Sequence, residues 1–296
     1  MTRVNIIVFV EGWADRFFYD RLVNAVCGSH TLTYQIRTAK ELGRSGDGKP
    51  ALVSLFRLLR RRRALYASRG KGASAFFFLD KDIDDLLGNM ITSRHVAYTE
   101  HYHVENYYFI AGDLVLASAA AASLEADTVR EVLGDPRAWR SSVAAAWKEW
   151  VQLCLHAALH CLSCGCHFRT HSKVHKGCFG GIDGTRYVAA LSALERASGL
   201  SADQFRERHT EICALVDRLY AEGRHDSVFS GRWYGHFLQA TIVAKTKDRR
   251  SKARELSRRI TDSLLPTIGF DDAWSENLRR PLARLGRRLR GGLSLE

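Results

Sequence analysis

The sequence predicts an α/β fold: a mainly parallel sheet flanked by helices, followed by an α-helical region. Three observations predict it. Short apolar runs rich in β-branched and aromatic residues alternate with helical periods in the first part of the chain. After Phe109 the strands cease, and Ala, Leu, Arg and Glu recur at helical spacing. The 296 residues are 46% hydrophobic with only four prolines, enough for a sizeable buried core and too apolar for extensive disorder. The expected division is residues 1–112 as the α/β domain and 113–296 as the helical domain with a basic C-terminal segment.

Asn5–Val10 is a short apolar run without a helical period, hence a buried strand. Ala14–Val26 sets Phe17, Phe18, Leu22 and Val26 at helical spacing, and Gly28 closes it. Thr31–Arg37 is the second strand. Thr38–Glu41 has capping-box spacing, but the glycines at 43, 46 and 48 make Glu41–Lys49 a loop. Pro50 suits the first turn of a helix reaching Ala67. Ala75–Leu79 and His95–His103 are the third and fourth strands. Helices are expected at 137–162, 184–198, 201–223, 233–245, 249–265 and 273–290, with Ser201 and Gln204 as a capping-box pair.

The formal net charge is +12, from 44 Lys+Arg against 32 Asp+Glu, with a pI near 9.6. Such a surplus favours a polyanionic partner such as nucleic acid. Lys245–Glu296 alone carries +7 of it; this stretch reads either as a phosphate-contacting or docking arm or as solvated helix faces. No apolar run approaches the ~18 residues of a membrane span. The opening Val4–Val10 is too short for a secretory leader and meets Glu11 and Asp15 at once. The protein is therefore expected in the cytoplasm, with its seven cysteines reduced.

The carboxylates fall at strand ends. Glu11 follows the first strand in Val10-Glu11-Gly12-Trp13-Ala14-Asp15. Asp80, Asp82 and Asp84 follow the third, and Glu105 follows the fourth in Val104-Glu105-Asn106-Tyr107. An open parallel sheet binds ligands beyond the carboxyl ends of its strands, so three strands are expected to deliver acids to one edge. Two carboxylates ~4 Å apart at an effective dielectric of ~20 repel by about 4 kcal/mol. Protonation or a hard divalent cation relieves that, and all-oxygen ligands suit magnesium or manganese. Gly12 permits a tight turn and a close backbone approach. The bland alternative is that Glu-Gly is a common turn and that Asp84 or Asp85 caps a helix.

These motifs resemble the Toprim domain shared by topoisomerases, primases and overcoming-lysogenization-defect-type nucleases, which carries a Glu after its first strand and an Asp-x-Asp after a later one. Val-Glu-Gly-x-x-Asp, Leu-Asp-x-Asp-x-Asp and Val-Glu-Asn-Tyr are most similar to the Toprim-like effectors, of the PARIS type, encoded beside ATPases in bacterial anti-phage systems. Gly231-Arg232-Trp233 before a helix echoes the same subgroup. The resemblance covers residues 4–110 well and the helical remainder poorly. It implies Glu11, Asp80, Asp82 and Glu105 as catalytic residues, with Glu11, Asp80, Asp82 and Asp84 as ligands of Mg2+ or Mn2+ and Asp15 beside a second ion. It further implies a metal-dependent endonuclease acting on RNA, transfer RNA included, or on DNA, as a toxic defence effector restrained by an ATPase partner and self-associating when released. No breakage-domain tyrosine is recognisable, which favours hydrolysis over strand passage or primase chemistry. A non-catalytic nucleic-acid-binding or scaffold subunit is the rival from another class.

Other features carry two readings each. Cys161-x-x-Cys164 has zinc-knuckle spacing in a stretch that also holds Cys166, His167, His171, His175 and Cys178, a candidate structural Zn2+ site at Cys161, Cys164 and Cys166. No second Cys-x-x-Cys or spaced His pair completes it, however, and Cys154, His156, His160 and Cys161 continue a helix where small buried thiols are ordinary. Arg60 and Arg61 belong to a four-arginine run, a phosphate contact or a solvated helix end. Lys81 is a phosphate contact or a solvated neighbour of the aspartates. Tyr98, Tyr102, Tyr107, Tyr108 and Phe109 stack bases or pack a strand.

Overall fold

A strand buried on both faces needs an unbroken apolar run, because every second side chain points to the opposite layer. β3 (Ser74–Leu79), Ser-Ala-Phe-Phe-Phe-Leu, is buried along its whole length. β1 (Ile6–Val10) lies beside it, with β2 (Tyr34–Thr38) and β4 (Val96–Tyr98) outside. All pairings are parallel, in the order β2-β1-β3-β4. The computed structural model describes residues 5–28, 32–42, 48–66, 72–169, 174–177, 181–246 and 253–290.

These residues form two compact units, each discontinuous in sequence. The sheet unit comprises Met1–Lys81, Asn89–Glu100 and Gly269–Glu296; the helical unit comprises Asp82–Gly88 and His101–Ile268. This differs from a linear division at 112/113, because the last helix belongs with the sheet.

In the sheet unit, α1 (Asp15–Cys27) turns Phe18, Tyr19, Leu22 and Val26 inward. The Tyr19 ring stacks on Phe78 with centroids 4.3 Å apart. α2 (Gly48–Arg61) covers the opposite layer through Leu52, Leu55 and Phe56, and Phe56 meets Phe77 edge-on at 5.5 Å. Phe9 stacks on Phe77 at 4.8 Å within that layer. α13 (Glu276–Arg290) then packs against α1 and β4, burying Leu278, Leu282 and Leu285. Phe270, just upstream, meets Phe18 at 5.1 Å. The apolar stripe explains why a helix so rich in arginine is anchored.

Boundaries moved where turn chemistry outweighed propensity. β4 stops at Tyr98 instead of His103, since the chain bends through Thr99 to His103 and opens a helix. α2 ends at Arg61. Thr31, Ala67 and the glycine-bearing stretch 43–47 lie outside the described residues, as do parts of the basic tail, 247–252 and 291–296.

The helical unit contains α3 (Asp84–Leu87), α4 (Val104–Ala111), α5 (Leu114–Ala122), α6 (Ala126–Leu133), α7 (Pro136–Ala146), α8 (Lys148–Leu159), α9 (Gly184–Ser198), α10 (Ala202–Ala221), α11 (Gly231–Thr246) and α12 (Ala253–Leu264). The expected helix 137–162 divides at Trp147, whose φ of −115° departs from helix. Trp147 is fully buried and meets Trp233 at 5.8 Å. α11 lies centrally, against α4, α6, α7 and α12. On the α8–α10 contact, His156 Nδ1 sits 3.2 Å from His209 Nδ1, so a neutral pair shares one proton between them.

Two outcomes are expected. Leu282→Ala should cost about 2–5 kcal/mol, the usual range for emptying a fully buried leucine site, read as a lower urea midpoint. Burial, helped by the repulsion that protonated His209, His160 or Arg208 would exert on a second cation, drives the His156 pKa down to about 4. An unfolded histidine titrates near 6.5, so the unfolded chain takes the proton first. Stability contributed by neutral His156 is therefore complete above pH ~6.5 and is lost as pH falls toward 4, by about 3 kcal/mol at most. Urea melts across that window should reveal it, and His156→Leu should flatten the slope.

Candidate functional site

Strand order decides where a ligand site forms. From β1 the chain crosses to β2 on one side and later to β3 on the other, so the topological switch lies between β1 and β3. Glu11 and Asp80 are the first residues past those two strands. They converge: Glu11 Oε1 accepts the backbone N–H of Asp80 at 2.8 Å. Asp80 is 6% exposed, a carboxylate held where solvation is poor. A carboxylate offers about four acceptor positions, and this bond uses one of those of Glu11.

Asp15 is also buried in the sheet unit, with Oδ2 accepting the Gly12 N–H at 2.7 Å. It closes the turn that leads from β1 into α1, which is a structural task for a residue expected beside a second metal. Around that turn stand exposed Trp13 and Phe17, 61% and 57% accessible, with the Arg16 guanidinium 4.9 Å from the Trp13 ring centroid. Sequence reasoning passed over both rings because Phe17 fits a helix's apolar period. Lys81 is buried, which overturns its reading as a solvated lysine, and its N–H donates to Thr99 Oγ1 at 2.7 Å. Arg60 and Arg61 are exposed on α2 and line an open groove with Arg57, Ser54 and Pro50.

The remaining expected acids belong to the helical unit. Asp82 has φ 49°, a left-handed conformation that aspartate tolerates better than most residues. Its Oδ1 pairs with His103 Nε2 at 3.1 Å. Asp84 stands in the first turn of the one-turn helix α3, and Leu86 N–H bonds to Asp85 Oδ1 at 3.0 Å. Glu105 does not end a strand. It is the second residue of α4, and its Oε1 takes Arg232 Nε at 2.6 Å while Oε2 lies 3.9 Å from His103 Nδ1. Two strands, not three, thus deliver acids to the sheet edge.

The residue that organises this part of the helical unit is Asn106. Fully buried, it accepts the N–H of His103 at 3.0 Å and of Gly231 at 3.1 Å through Oδ1. Its Nδ2 donates to Asp226 Oδ1 and to the Phe229 carbonyl, each at 3.0 Å. Asp226 also accepts the Tyr234 hydroxyl at 2.9 Å and lies 3.6 Å from Arg140. Burial, with the Asp226 charge behind it, raises the Tyr234 pKa and keeps the phenol a donor. A Cβ on Gly231 would fall 2.3 Å from Asn106 N, so only glycine lets α11 start there. Tyr107, Tyr108 and Phe109 are buried on α4 and pack a helix, not a strand.

Among the described residues, no group of three or more His, Cys, Asp or Glu side chains stands arranged to hold a metal ion. Glu11 and Asp80 are oxygen donors, the type a hard divalent ion takes, and magnesium often needs only one or two protein carboxylates beside water and substrate phosphate. Of the thiols, Cys161 is exposed, Cys164 half-buried and Cys166 buried, with Cys166 Sγ 3.7 Å from the Ala190 carbonyl; His171 and Cys178 lie outside the described residues. No family model matches the chain, and neither curated proteins nor solved structures yield a match.

Asn106→Ala strips a partner from the buried Gly231 N–H, from the half-buried His103 N–H and from two acceptors at once. It should destabilise the protein by roughly 3 kcal/mol or more, measured by denaturant unfolding, whereas Glu105→Gln should leave the midpoint within about 1 kcal/mol.

Proposed function

We propose that the chain is a Toprim-like, magnesium- or manganese-dependent endonuclease that cuts nucleic acid, either RNA such as transfer RNA or DNA. In this reading it is the toxic effector of an anti-phage defence system, restrained by an ATPase partner and self-associating on release. The meeting of Glu11 with Asp80 at the β1/β3 switch point carries the reading. Glu11 and Asp80 would hold the ion. A bound divalent ion supplies charge stabilisation for a phosphodiester in displacement and a more acidic water.

The chain's own residues account for the rest. The Asp80 N–H fixes the Glu11 carboxylate, and the Asp15–Gly12 bond holds the turn that presents it. Trp13 and Phe17 offer π-faces beside that turn on which unpaired bases stack. Arg57, Arg60 and Arg61 offer a cationic groove to a phosphate backbone.

One set of contacts favours a second reading, a non-catalytic nucleic-acid-binding subunit. Asp15, Asp82 and Glu105 are each engaged by protein groups: the Gly12 N–H, His103 and Arg232.

One experiment separates the two. Glu11→Gln and Asp80→Asn should each lower Mg2+-dependent cleavage of RNA or DNA by at least about a hundred-fold and abolish toxicity on expression, with the circular dichroism spectrum retained. Full toxicity in both variants would leave the binding subunit as the better account.

A further inference from the structure

The helical unit contains a cavity of about 360 Å³. That size falls in the usual range of ~300–1,000 Å³ for small-ligand sites. Two guanidinium groups, Arg169 and Arg232, stand on its wall with the imidazoles of His103, His167 and His236. The rings of Tyr102 and Phe168, 4.8 Å apart, form another part of the wall. One carboxylate, Asp82, also lines it, but its Oδ1 already faces His103 Nε2 at 3.1 Å. With Glu105 bonded to Arg232 Nε at 2.6 Å, the two guanidinium groups stand against two carboxylates, so what the wall offers an anion is its number of N–H donors, five on each arginine. Ser230 and Arg232 flank the start of the sixteen-residue helix α11, whose amino end adds a partial positive charge.

We propose that this cavity is a nucleotide-binding site, with Arg169 and Arg232 gripping the phosphate and the Tyr102–Phe168 wall meeting the base. Arginine is suited to the role, because its planar fork matches phosphate oxygens two at a time. Glu105 is then a positioning residue: its bond to Arg232 Nε at 2.6 Å fixes the plane in which the guanidinium is presented. Asn106 anchors the same assembly by tying the His103 and Gly231 N–H groups to one buried amide oxygen. The shared chemistry is a nucleotide phosphate, whether of a free nucleotide or of one unit in a strand. The inference stands apart from the nuclease reading, since the site can bind with no cleavage at the sheet edge.

The test is calorimetric titration of the full chain with adenosine 5′-monophosphate, and separately with a single-stranded RNA of about eight nucleotides. Arg169→Ala and Arg232→Ala should each weaken binding at least about ten-fold, and Glu105→Gln should weaken it by a smaller factor. Both arginines are exposed, so the fold should survive. Glu11→Gln should leave the mononucleotide affinity unchanged, which keeps failure here distinct from failure of the nuclease reading. Binding of the mononucleotide identifies a free nucleotide as the ligand, and binding of the oligomer alone identifies a strand; either supports the site. Absence of binding by both probes, or affinities untouched by both arginine substitutions, overturns it.

Discussion

Parallel pairing between β1 and β3 is the constraint from which the sheet unit follows. Parallel strands end on the same edge, so whatever residue follows each strand is delivered to a common place without any further instruction. That pairing requires helices on both layers, and the apolar runs of β1 and β3 leave no polar face to be solvated. The Glu11–Asp80 contact is a by-product of register and strand length. A slip of one residue would turn Phe9 and Phe77 out of the α2 layer and break the aromatic stack that α2 covers.

The helical unit solves a different problem, the meeting of two helix starts in a dry interior. Helix amino ends carry N–H groups with no partner inside the helix. Asn106 resolves this with one amide, accepting from both starts and donating to Asp226 and Phe229. The buried Asp226 is in turn balanced by Tyr234 and Arg140. Such a network is tolerable because its centre, Asn106 and Asp226, is hydrogen-bonded on several sides, and its directional bonds admit one arrangement where apolar packing would admit several.

Much of the sheet unit was legible because alternation of strands and helices leaves a strong periodic trace. In the helical unit, the spacing over 184–198 likewise predicts α9, which lies there between Asp183 as its cap and Gly199 in the left-handed region. α5 was illegible for the opposite reason: Leu-Val-Leu-Ala-Ser followed by alanines is apolar on all sides and has no stripe to detect. The extension of β4 to His103 failed because aromatic residues with high strand propensity sit in a turn and a helix. Extending β4 to His103 is what makes Glu105, a residue of α4, look like a strand-end acid. The acids at positions 11 and 80 were legible because their placement depends on strand ends, which turn residues mark clearly. The partners of Asp82 and Glu105 depend on Arg232 and on His103, and no local pattern announces a contact across so many residues.

The last helix carries a consequence for the order of events during synthesis. Residues 276–290 cover α1 and β4, yet they are translated after the whole helical unit. Domains generally fold as they emerge, from the amino end onward. The sheet leaves the ribosome first, and the flank that Leu278, Leu282 and Leu285 cover stays bare until those residues follow. Until then α1 and β4 are without the cover that the complete sheet unit gives them.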